Sequence, residues 1–300
     1  MTTITPLEHS IQARLARVAK ELRVDPNLIL SRYAAERLLY RLARSRHAER
    51  FVLKGAMLLV VWLGDVARPT RDVDLLGIGD MSDEAIAATF AEIAALEVEP
   101  DGVTFDPASI GVARIREEDA YGGRRVTLRG LLGRARLHVQ IDIGIGDVVY
   151  PEPEAIDYPS LLDLPRPRLN AYRPETSIAE KLHAMVALGA KNSRMRDFFD
   201  IRTLAEKERF DGVRLATAIR RTFDRRATAV PARPLALTPA FAQIEGKEAQ
   251  WSGFLRRYRL PAEDFSRVIK QVSSFLGPVV VALAADEPFT RIWPPGGSWQ

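Results

Sequence analysis

The chain has 300 residues, of which 47% are hydrophobic, and it can bury the core of one large domain or of two closely packed ones. It contains no cysteine, which excludes disulfides and thiolate metal sites, and its net charge of +4 permits a nucleic-acid partner without requiring one. The first 22 residues are polar and no apolar run reaches the length of a membrane span. We therefore expect a cytoplasmic protein with no signal peptide and no membrane partner.

Two helices are predicted at the start of the chain. Residues 5–22 have helical periodicity, and Asp25-Pro26 is typical of the start of a second helix that runs to about Arg44. Four arginines lie on the polar face of the second helix or just beyond it: Arg37, Arg41, Arg44 and Arg46. This arginine-rich face has two interpretations, a solvated helix surface or a contact with nucleic-acid phosphates.

The most informative stretch is residues 51–76, FVLKGAMLLVVWLGDVARPTRDVDLL. A short strand is predicted at Phe51–Lys54, followed by Gly55 and a buried helix over the apolar run Met57–Leu63. Glycine permits a close approach to the backbone, and the N-terminus of a helix favours a bound phosphate. The turn at Gly55 is therefore a candidate phosphate site.

The segment Asp72-Val73-Asp74-Leu75-Leu76 reads as a strand that places Asp72 and Asp74 on one face. Two neighbouring carboxylates repel each other, and a divalent cation removes that repulsion. Hard oxygen ligands suit Mg²⁺, with Mn²⁺ as the alternative. A phosphate-binding turn followed by a metal-binding pair is the layout expected for handling a nucleoside triphosphate.

Further strands are predicted at 111–115, 124–131 and 134–145, and the turn Leu132-Gly133 joins the last two as a hairpin. A helix capped by Ser82 precedes them. In the last strand Asp142 alternates with an apolar series and points away from the core. Asp72, Asp74 and Asp142 can therefore converge if their two strands are neighbours.

Residues 151–174 are rich in proline and read as a loop-like connector, and the rest of the chain is mostly helical. We expect Gly277-Pro278 to end or kink the last long helix. The predicted fold is α/β (α+β), a mixed sheet with a helical C-terminal lobe. The predicted parts are residues 1–150 as core with N-terminal helices, 151–174 as connector and 175–300 as helical lobe.

A second group of charged residues falls in the first two predicted helices of this lobe. Lys181 lies on an apolar line of its helix, so its ammonium group either reaches solvent or has a specific anion partner. Asp197 and Asp200 are three residues apart on the next helix and share a face. Either carboxylate is a candidate to hold the ammonium group of Lys181.

Together these motifs resemble the AbiEii/AbiGii toxin family of nucleotidyltransferases, which includes the MenT-type toxins. The motifs occur in the family's order: Lys54-Gly55-Ala56, Arg68-x-Thr70-x-Asp72-Val73-Asp74, Glu180-Lys181-Leu182-x-Ala184 and Arg196-Asp197-x-x-Asp200. The chain departs from the family at Ala56, because the first motif usually has Gly-Gly or Gly-Ser. A hydroxyl that would hold a phosphate is therefore missing.

The resemblance implies a DNA-polymerase-β-like core that transfers a nucleoside monophosphate from an NTP to the 3′ end of a tRNA, and a cognate antitoxin as partner. The motifs and the strand pattern together give the candidate site residues. The catalytic candidates are Asp72, Asp74, Asp142, Lys181, Asp197 and Asp200, with Asp72 and Asp74 as the metal ligands. The nucleotide-binding candidates are Lys54, Gly55, Ala56, Arg68, Thr70, Arg71 and Lys181.

Two other functions remain open at this stage. The chain could transfer a nucleotide to a protein hydroxyl, or it could be a degenerate core that only binds a nucleotide or a protein partner. Retention of both Asp72 and Asp74 disfavours the degenerate core. The arginine-rich second helix and the basic charge favour RNA over a protein acceptor.

Overall fold

The structure is a computed structural model that describes residues 4–64, 70, 72–115 and 122–300. Its internal contacts divide the chain into two compact units. The first, here called the sheet unit, comprises Met1–Val61, Arg68–Gly146 and Glu154–Ala171. The second, the helical unit, comprises Trp62–Ala67, Asp147–Pro153 and Tyr172–Gln300.

Seven strands form one sheet in the described part of the sheet unit. They are β1 (Phe51–Lys54), β2 (Val73–Gly77), β3 (Val103–Ile115), β4 (Gly123–Leu132), β5 (Ala135–Ile145), β6 (Glu154–Asp157) and β7 (Arg168–Ala171). Their order across the sheet is β3-β4-β5-β2-β1-β7-β6. The pairs β2–β5 and β1–β7 are parallel and the other pairs antiparallel, so the predicted mixed sheet is confirmed.

Four helices occur in the described part of the first hundred residues. They are α1 (Pro6–Glu21), α2 (Pro26–Arg44), α3 (Leu58–Leu63) and α4 (Asp83–Ala95). The caps account for their starts. Thr5 and Glu8 form a reciprocal capping box on α1, and the side chains of Asp25 and Ser82 accept backbone N–H groups at the starts of α2 and α4.

The alternation in β4 and β5 divides the sheet into a buried and a polar face. The side chains of Val126, Leu128, Val139 and Ile141 are at most 1% exposed. The residues between them point to the opposite face because successive side chains of a strand alternate. The hairpin turn consists of Gly133 and Arg134, one residue later than predicted, and Leu132 pairs with Ala135.

The prediction that residues 151–174 are loop-like is wrong in part, because β6 and β7 both lie in this segment. The prolines of the segment lie outside the two strands. Pro153 and Pro159 flank β6, and Pro167 precedes β7. Proline lacks a backbone N–H and is excluded from central positions of a sheet, but it can delimit a short strand.

The helical unit confirms the predicted change to helix after residue 174. Its helices in the described chain are α5 (Pro174–Leu188), α6 (Met195–Lys207), α7 (Gly212–Arg225), α8 (Pro239–Ala242), α9 (Lys247–Tyr258) and α10 (Phe265–Ala284). Two short strands, β8 (Phe210–Asp211) and β9 (Ile292–Trp293), pair antiparallel. Aromatic side chains fill much of the core, where Phe198, Phe241 and Phe265 contact one another.

The sequence predicted that Gly277-Pro278 would end or kink the last long helix. The helix does not end there. α10 continues through Pro278 to Ala284. Val279 and Val280 lie just after the proline and are at most 1% exposed. Burial of such side chains contributes about 1.5–3 kcal/mol each, so the two valines together offset the roughly 3 kcal/mol that an internal proline costs.

By length and apolar composition alone, α10 is the one described helix that could cross a membrane, although no such span was predicted. Half of the 18-residue apolar stretch of this helix is buried inside the protein. Val268, Val272 and Phe275 on the buried face are all 0% exposed. This pattern is that of a core helix.

Candidate active site

Four charged residues on neighbouring strands lie side by side in the sheet unit. Lys54 of β1 is opposite Asp74 of β2, Asp74 is opposite Asp142 of β5, and Asp142 is opposite Arg125 of β4. Side chains directly opposite each other on paired strands share one face of the sheet. Lys54, Asp74, Asp142 and Arg125 therefore form a line with the charge order plus, minus, minus, plus, here called the charged row.

Asp72 lies next to the charged row. It immediately precedes β2, two residues before Asp74, and its side chain is exposed. Val73 and Leu75 are each 1% exposed on the opposite face. The structure therefore agrees with the predicted alternation of this segment, and the convergence of Asp74 and Asp142 follows from the parallel pairing of β2 with β5.

Gly55 leaves space for the carboxylate of Asp74. A Cβ atom added to Gly55 would lie 2.0 Å from Oδ2 of Asp74, and the backbone of Gly55 has a φ of +72°. Both features require glycine, because a side chain would overlap the carboxylate and the left-handed conformation disfavours other residues. The close approach that Gly55 permits is therefore made by the carboxylate of Asp74, which belongs to the protein itself.

The turn after Gly55 differs from the predicted helix N-terminus. Gly55–Met57 forms a short 3-10 helix, and α3 follows with only six residues. A short helix aligns few peptide dipoles, so its attraction for a phosphate is smaller than that of a full-length helix. Ala56, at the position where the family usually has Gly or Ser, is buried in this turn.

Arg125 is a residue of the row that the sequence prediction missed. Its Nε and Nη2 atoms each donate to one oxygen of Asp142, and both distances are 2.8 Å. The hydrogen bond and charge of Asp142 raise the pKa of Arg125 against the effect of burial, and the charges of Asp72 and Asp74 add to the rise. The correct hairpin register would have identified Arg125 as the partner of Asp142. The predicted turn was one residue too early, and a shift of the turn by one residue shifts every cross-strand partner by two residues.

Asp72 and Asp74 are the candidates to hold a hard divalent cation. The space above Gly55 that a Cβ would fill is occupied by the carboxylate of Asp74, and carboxylate oxygens are the ligands that Mg²⁺ prefers. Among the described residues, however, no three His, Asp or Glu side chains are grouped closely enough to hold one metal ion. A two-carboxylate site completed by substrate phosphates is typical of Mg²⁺.

The second predicted cluster is assembled within the helical unit. Nζ of Lys181 on α5 donates to Oδ1 of Asp197 at 2.9 Å and to Oδ2 of Asp200 at 2.7 Å, both on α6. Both carboxylates are 0% exposed, and the side chain of Lys181 is 11% exposed. The sequence predicted one carboxylate beside the ammonium group, and the structure places both there.

Charge attraction keeps Asp197 ionised inside the protein. Burial by itself raises the pKa of its carboxyl group, but the positive charges of Lys181, Arg194 and Arg196 together hold that pKa below its usual value. Nε of Arg194 lies 2.8 Å from Oδ2 of Asp197, and the geometry makes this contact an ion pair without a hydrogen bond. Asp197 is therefore charged at neutral pH.

For Arg37 and Arg41 of the arginine-rich face of α2, the structure corrects both interpretations. Arg37 and Arg41 are 1% and 6% exposed, so they are neither solvated nor available to phosphates. Arg37 pairs with Glu36, and Arg41 donates from both terminal nitrogens to Asp101 at 2.6 and 3.2 Å. Arg44 and Arg46 are exposed, and Arg46 forms an ion pair with Glu92.

The remaining nucleotide-binding candidates are less informative. Thr70 is half-buried and lies shortly before β2, whereas Arg68 and Arg71 lie outside the described residues. A cavity of about 530 Å³ lies elsewhere in the sheet unit, between the start of α1, the end of α4 and the start of β3. Its lining includes Arg41 and Asp101 and none of the predicted site residues.

A sequence model described as the nucleotidyl transferase AbiEii toxin of type IV toxin–antitoxin systems matches residues 37–272. The chain belongs to this family. The match covers the charged row and the Lys181 cluster, and it confirms the resemblance drawn from the four motifs. No curated protein matches the chain.

The solved structures that are similar to this AbiEii-family chain have low sequence identity to it. MenT4, a nucleotidyltransferase toxin from Mycobacterium tuberculosis H37Rv, is 18% identical with a TM-score of 0.48, and the match covers 91% of this chain and 98% of MenT4. JHP933 from Helicobacter pylori is 14% identical with a TM-score of 0.43, and the match covers 95% and 94% of the two chains. The family assignment rests on the sequence model alone.

Proposed function

We propose that this AbiEii-family protein is a toxin that transfers a nucleoside monophosphate from an NTP to the 3′ end of a tRNA, with Mg²⁺ held by Asp72 and Asp74. The observation that carries the proposal is the placement of Asp74 between Gly55 and Asp142, with Asp72 beside it. Its location is the cytoplasm, where NTPs and tRNA occur, and its second partner is a cognate antitoxin.

The reaction requires one bond to form and one to break. The oxygen of the acceptor hydroxyl attacks the α-phosphorus of the NTP, and pyrophosphate leaves with the electron pair of the broken phosphorus–oxygen bond. The hydroxyl proton passes to a carboxylate of the Asp72–Asp74 pair. A bound Mg²⁺ ion supplies neutralisation of phosphate charge and lowers the pKa of the attacking hydroxyl.

The protein contributes position and fixed charge, as is usual in phosphoryl transfer. Asp74 lies against Gly55, and Asp142 is held by two hydrogen bonds from Arg125. We assign Lys181 to the triphosphate, because a compact ammonium charge suits the developing charge of pyrophosphate. Its two hydrogen bonds to Asp197 and Asp200 fix the position of that charge.

The choice of tRNA as acceptor is supported by the resemblance to MenT-type toxins. Arg37 and Arg41 of α2 add no support, since both form ion pairs inside the protein. Transfer to a protein hydroxyl therefore stays the second candidate, and the same experiment separates it from transfer to RNA.

The test is incubation with each of the four α-labelled NTPs and Mg²⁺, with tRNA in one reaction and lysate protein in another. We expect label in tRNA with the wild-type protein and none with Asp74→Asn, which keeps the size of the side chain and removes its charge. Circular dichroism confirms that both proteins are folded. Label in a protein band alone contradicts the RNA acceptor, and absence of label in both contradicts transferase activity.

A further inference from the structure

The charged row ends in a cation, the guanidinium group of Arg125. Arg125 engages both carboxylate oxygens of Asp142, the third carboxylate of the site. The two side chains remain accessible, with exposed fractions of 42% for Arg125 and 23% for Asp142. Asp142 is the carboxylate that the strand pairing places beside Asp74, so Arg125 sits at the edge of the proposed metal site.

A guanidinium group and a divalent cation compete for the same oxygens. A second metal ion next to Asp74 would need oxygen ligands from Asp142, and those oxygens both accept hydrogen bonds from Arg125. Arginine stays charged at every physiological pH, and its fork geometry matches a carboxylate. The pair is therefore a persistent feature of the sheet unit.

Arg125 also retains donors for a substrate. A guanidinium group has five N–H donors, and Asp142 takes two of them. The partly exposed side chain can direct the others towards a phosphate oxygen next to Asp74. A fixed cation of this kind supplies charge to the phosphate without the need to bind and dehydrate a second ion.

We propose that Arg125 takes the place of a second metal ion, so that each chain binds one divalent cation, at Asp72 and Asp74, and Arg125 binds the phosphate of the NTP. This inference rests on the proposed function, because it concerns the same site. Asp142 is then a positioning residue for Arg125 and no metal ligand.

The test counts Mn²⁺ ions bound per chain by electron paramagnetic resonance, with Mn²⁺ alone as the probe. We expect one ion for the wild-type protein. Arg125→Gln releases the carboxylate of Asp142, and we expect a second bound ion. Adding Asp142→Asn to this variant should restore the wild-type count.

Arg124→Gln is the matched control. Arg124 is the neighbouring arginine of β4, but its side chain lies on the opposite face and pairs with Asp83. We expect this variant to bind one ion, as the wild-type protein does. Since Arg125 also binds the NTP in this proposal, Arg125→Gln should raise the KM for the NTP, whereas Arg124→Gln should leave it unchanged.

The possible results separate this inference from the proposed function. Two ions bound to the wild-type chain, or unchanged ion binding by Arg125→Gln, would overturn the role of Arg125 while labelled tRNA still supports a transferase. If the wild-type chain binds no Mn²⁺, both the metal site at Asp72 and Asp74 and the inference are overturned.

Discussion

At the scale of single residues, Gly55 combines a backbone conformation that requires glycine with a position next to the candidate catalytic residue Asp74. Its positive φ and the carboxylate of Asp74 next to it each exclude a side chain. Gly79 provides a comparison, because it has a φ of +86° and no atom within 4 Å of an added Cβ. The two glycines share the conformational requirement and differ only in the contact with Asp74.

We predict that Gly79→Ala lowers the free energy of unfolding by about 1–2 kcal/mol, the cost of a left-handed conformation, and that Gly55→Ala lowers it further, because its Cβ would also overlap Asp74. Only Gly55→Ala should also lose Mn²⁺ binding and nucleotide transfer, because its Cβ displaces the carboxylate of Asp74. Urea unfolding and ion binding measure the two effects. Wild-type ion binding by Gly55→Ala would show that the position of Asp74 does not matter.

The alternation of polar and apolar residues predicted Asp72, Asp74 and Asp142 as site candidates, because this alternation can be seen within each strand's own sequence. Arg125 could not be predicted in the same way. Its role depends on which residue of β5 lies opposite, and the hairpin turn at Gly133 and Arg134 sets that pairing. A turn placed one residue earlier pairs Arg125 with Gln140, two residues from Asp142 and on the same face.

At the scale of elements, helices α5 and α6 are joined by the ions of the Lys181 cluster. Removing Lys181 alone would take from the buried Asp197 and Asp200 the cation that they share, and breaking a buried ion pair in this way typically costs about 3–5 kcal/mol. A loss of activity in Lys181→Ala would therefore not separate catalysis from stability. Neutralising the whole cluster separates them.

We predict that Lys181→Met combined with Asp197→Asn and Asp200→Asn recovers most of the stability that Lys181→Met loses. Nucleotide transfer should nevertheless stay at least about a hundredfold below the wild-type rate, comparable to the loss of one preorganised donor. Thermal unfolding and tRNA labelling are measured on the same samples. Recovery of the rate together with the stability would make the cluster purely structural.

The same cluster makes stability depend on pH. The pKa of Asp197 is lower in the folded protein than in the unfolded chain, so its contribution is fully present above the unfolded pKa of about 3.9 and is lost as the pH falls through the folded pKa. Asp197→Asn should lower the free energy of unfolding by about 3 kcal/mol at pH 7.

The difference between the wild-type protein and Asp197→Asn should become smaller below about pH 4, where the aspartate of the unfolded chain is protonated. Urea unfolding at pH 7 and pH 3.5 measures it. Asp224→Asn is the control, since Asp224 is exposed on α7 and should change stability little at either pH. A constant difference at both pH values would contradict a depressed pKa for Asp197.

At the scale of the whole molecule, the sequence predicted the order of elements better than their ends. The change from alternation to helical periodicity located the sheet and the helices, whereas β6, β7 and the end of α10 depend on tertiary contacts that local proline signals do not report. The net charge of +4 was misleading for a similar reason. A formal charge does not distinguish arginines that face solvent from those that pair inside the core.

This distinction gives the last prediction. Arg41 forms a buried ion pair with Asp101, with 7% and 4% of their side chains exposed, and it also donates to the carbonyl of Val103. Arg41→Gln should therefore lower the free energy of unfolding by about 3–5 kcal/mol, because it leaves the charge of Asp101 buried without its partner. Its effect on tRNA labelling should follow the loss of folded protein and show no dependence on salt.

Arg44→Gln with Arg46→Gln is the matched pair of exposed substitutions on the same helix end. Each should change stability by less than about 1 kcal/mol, since exposed ion pairs such as Arg46 with Glu92 contribute little. If α2 nevertheless binds the acceptor, this double variant should weaken tRNA labelling more at low salt than at high salt, because lost phosphate contacts reduce the salt dependence of binding. Equal labelling by the wild-type and double-variant proteins at both salt concentrations, with Arg41→Gln destabilised, would establish that the arginines of α2 serve the fold of the sheet unit.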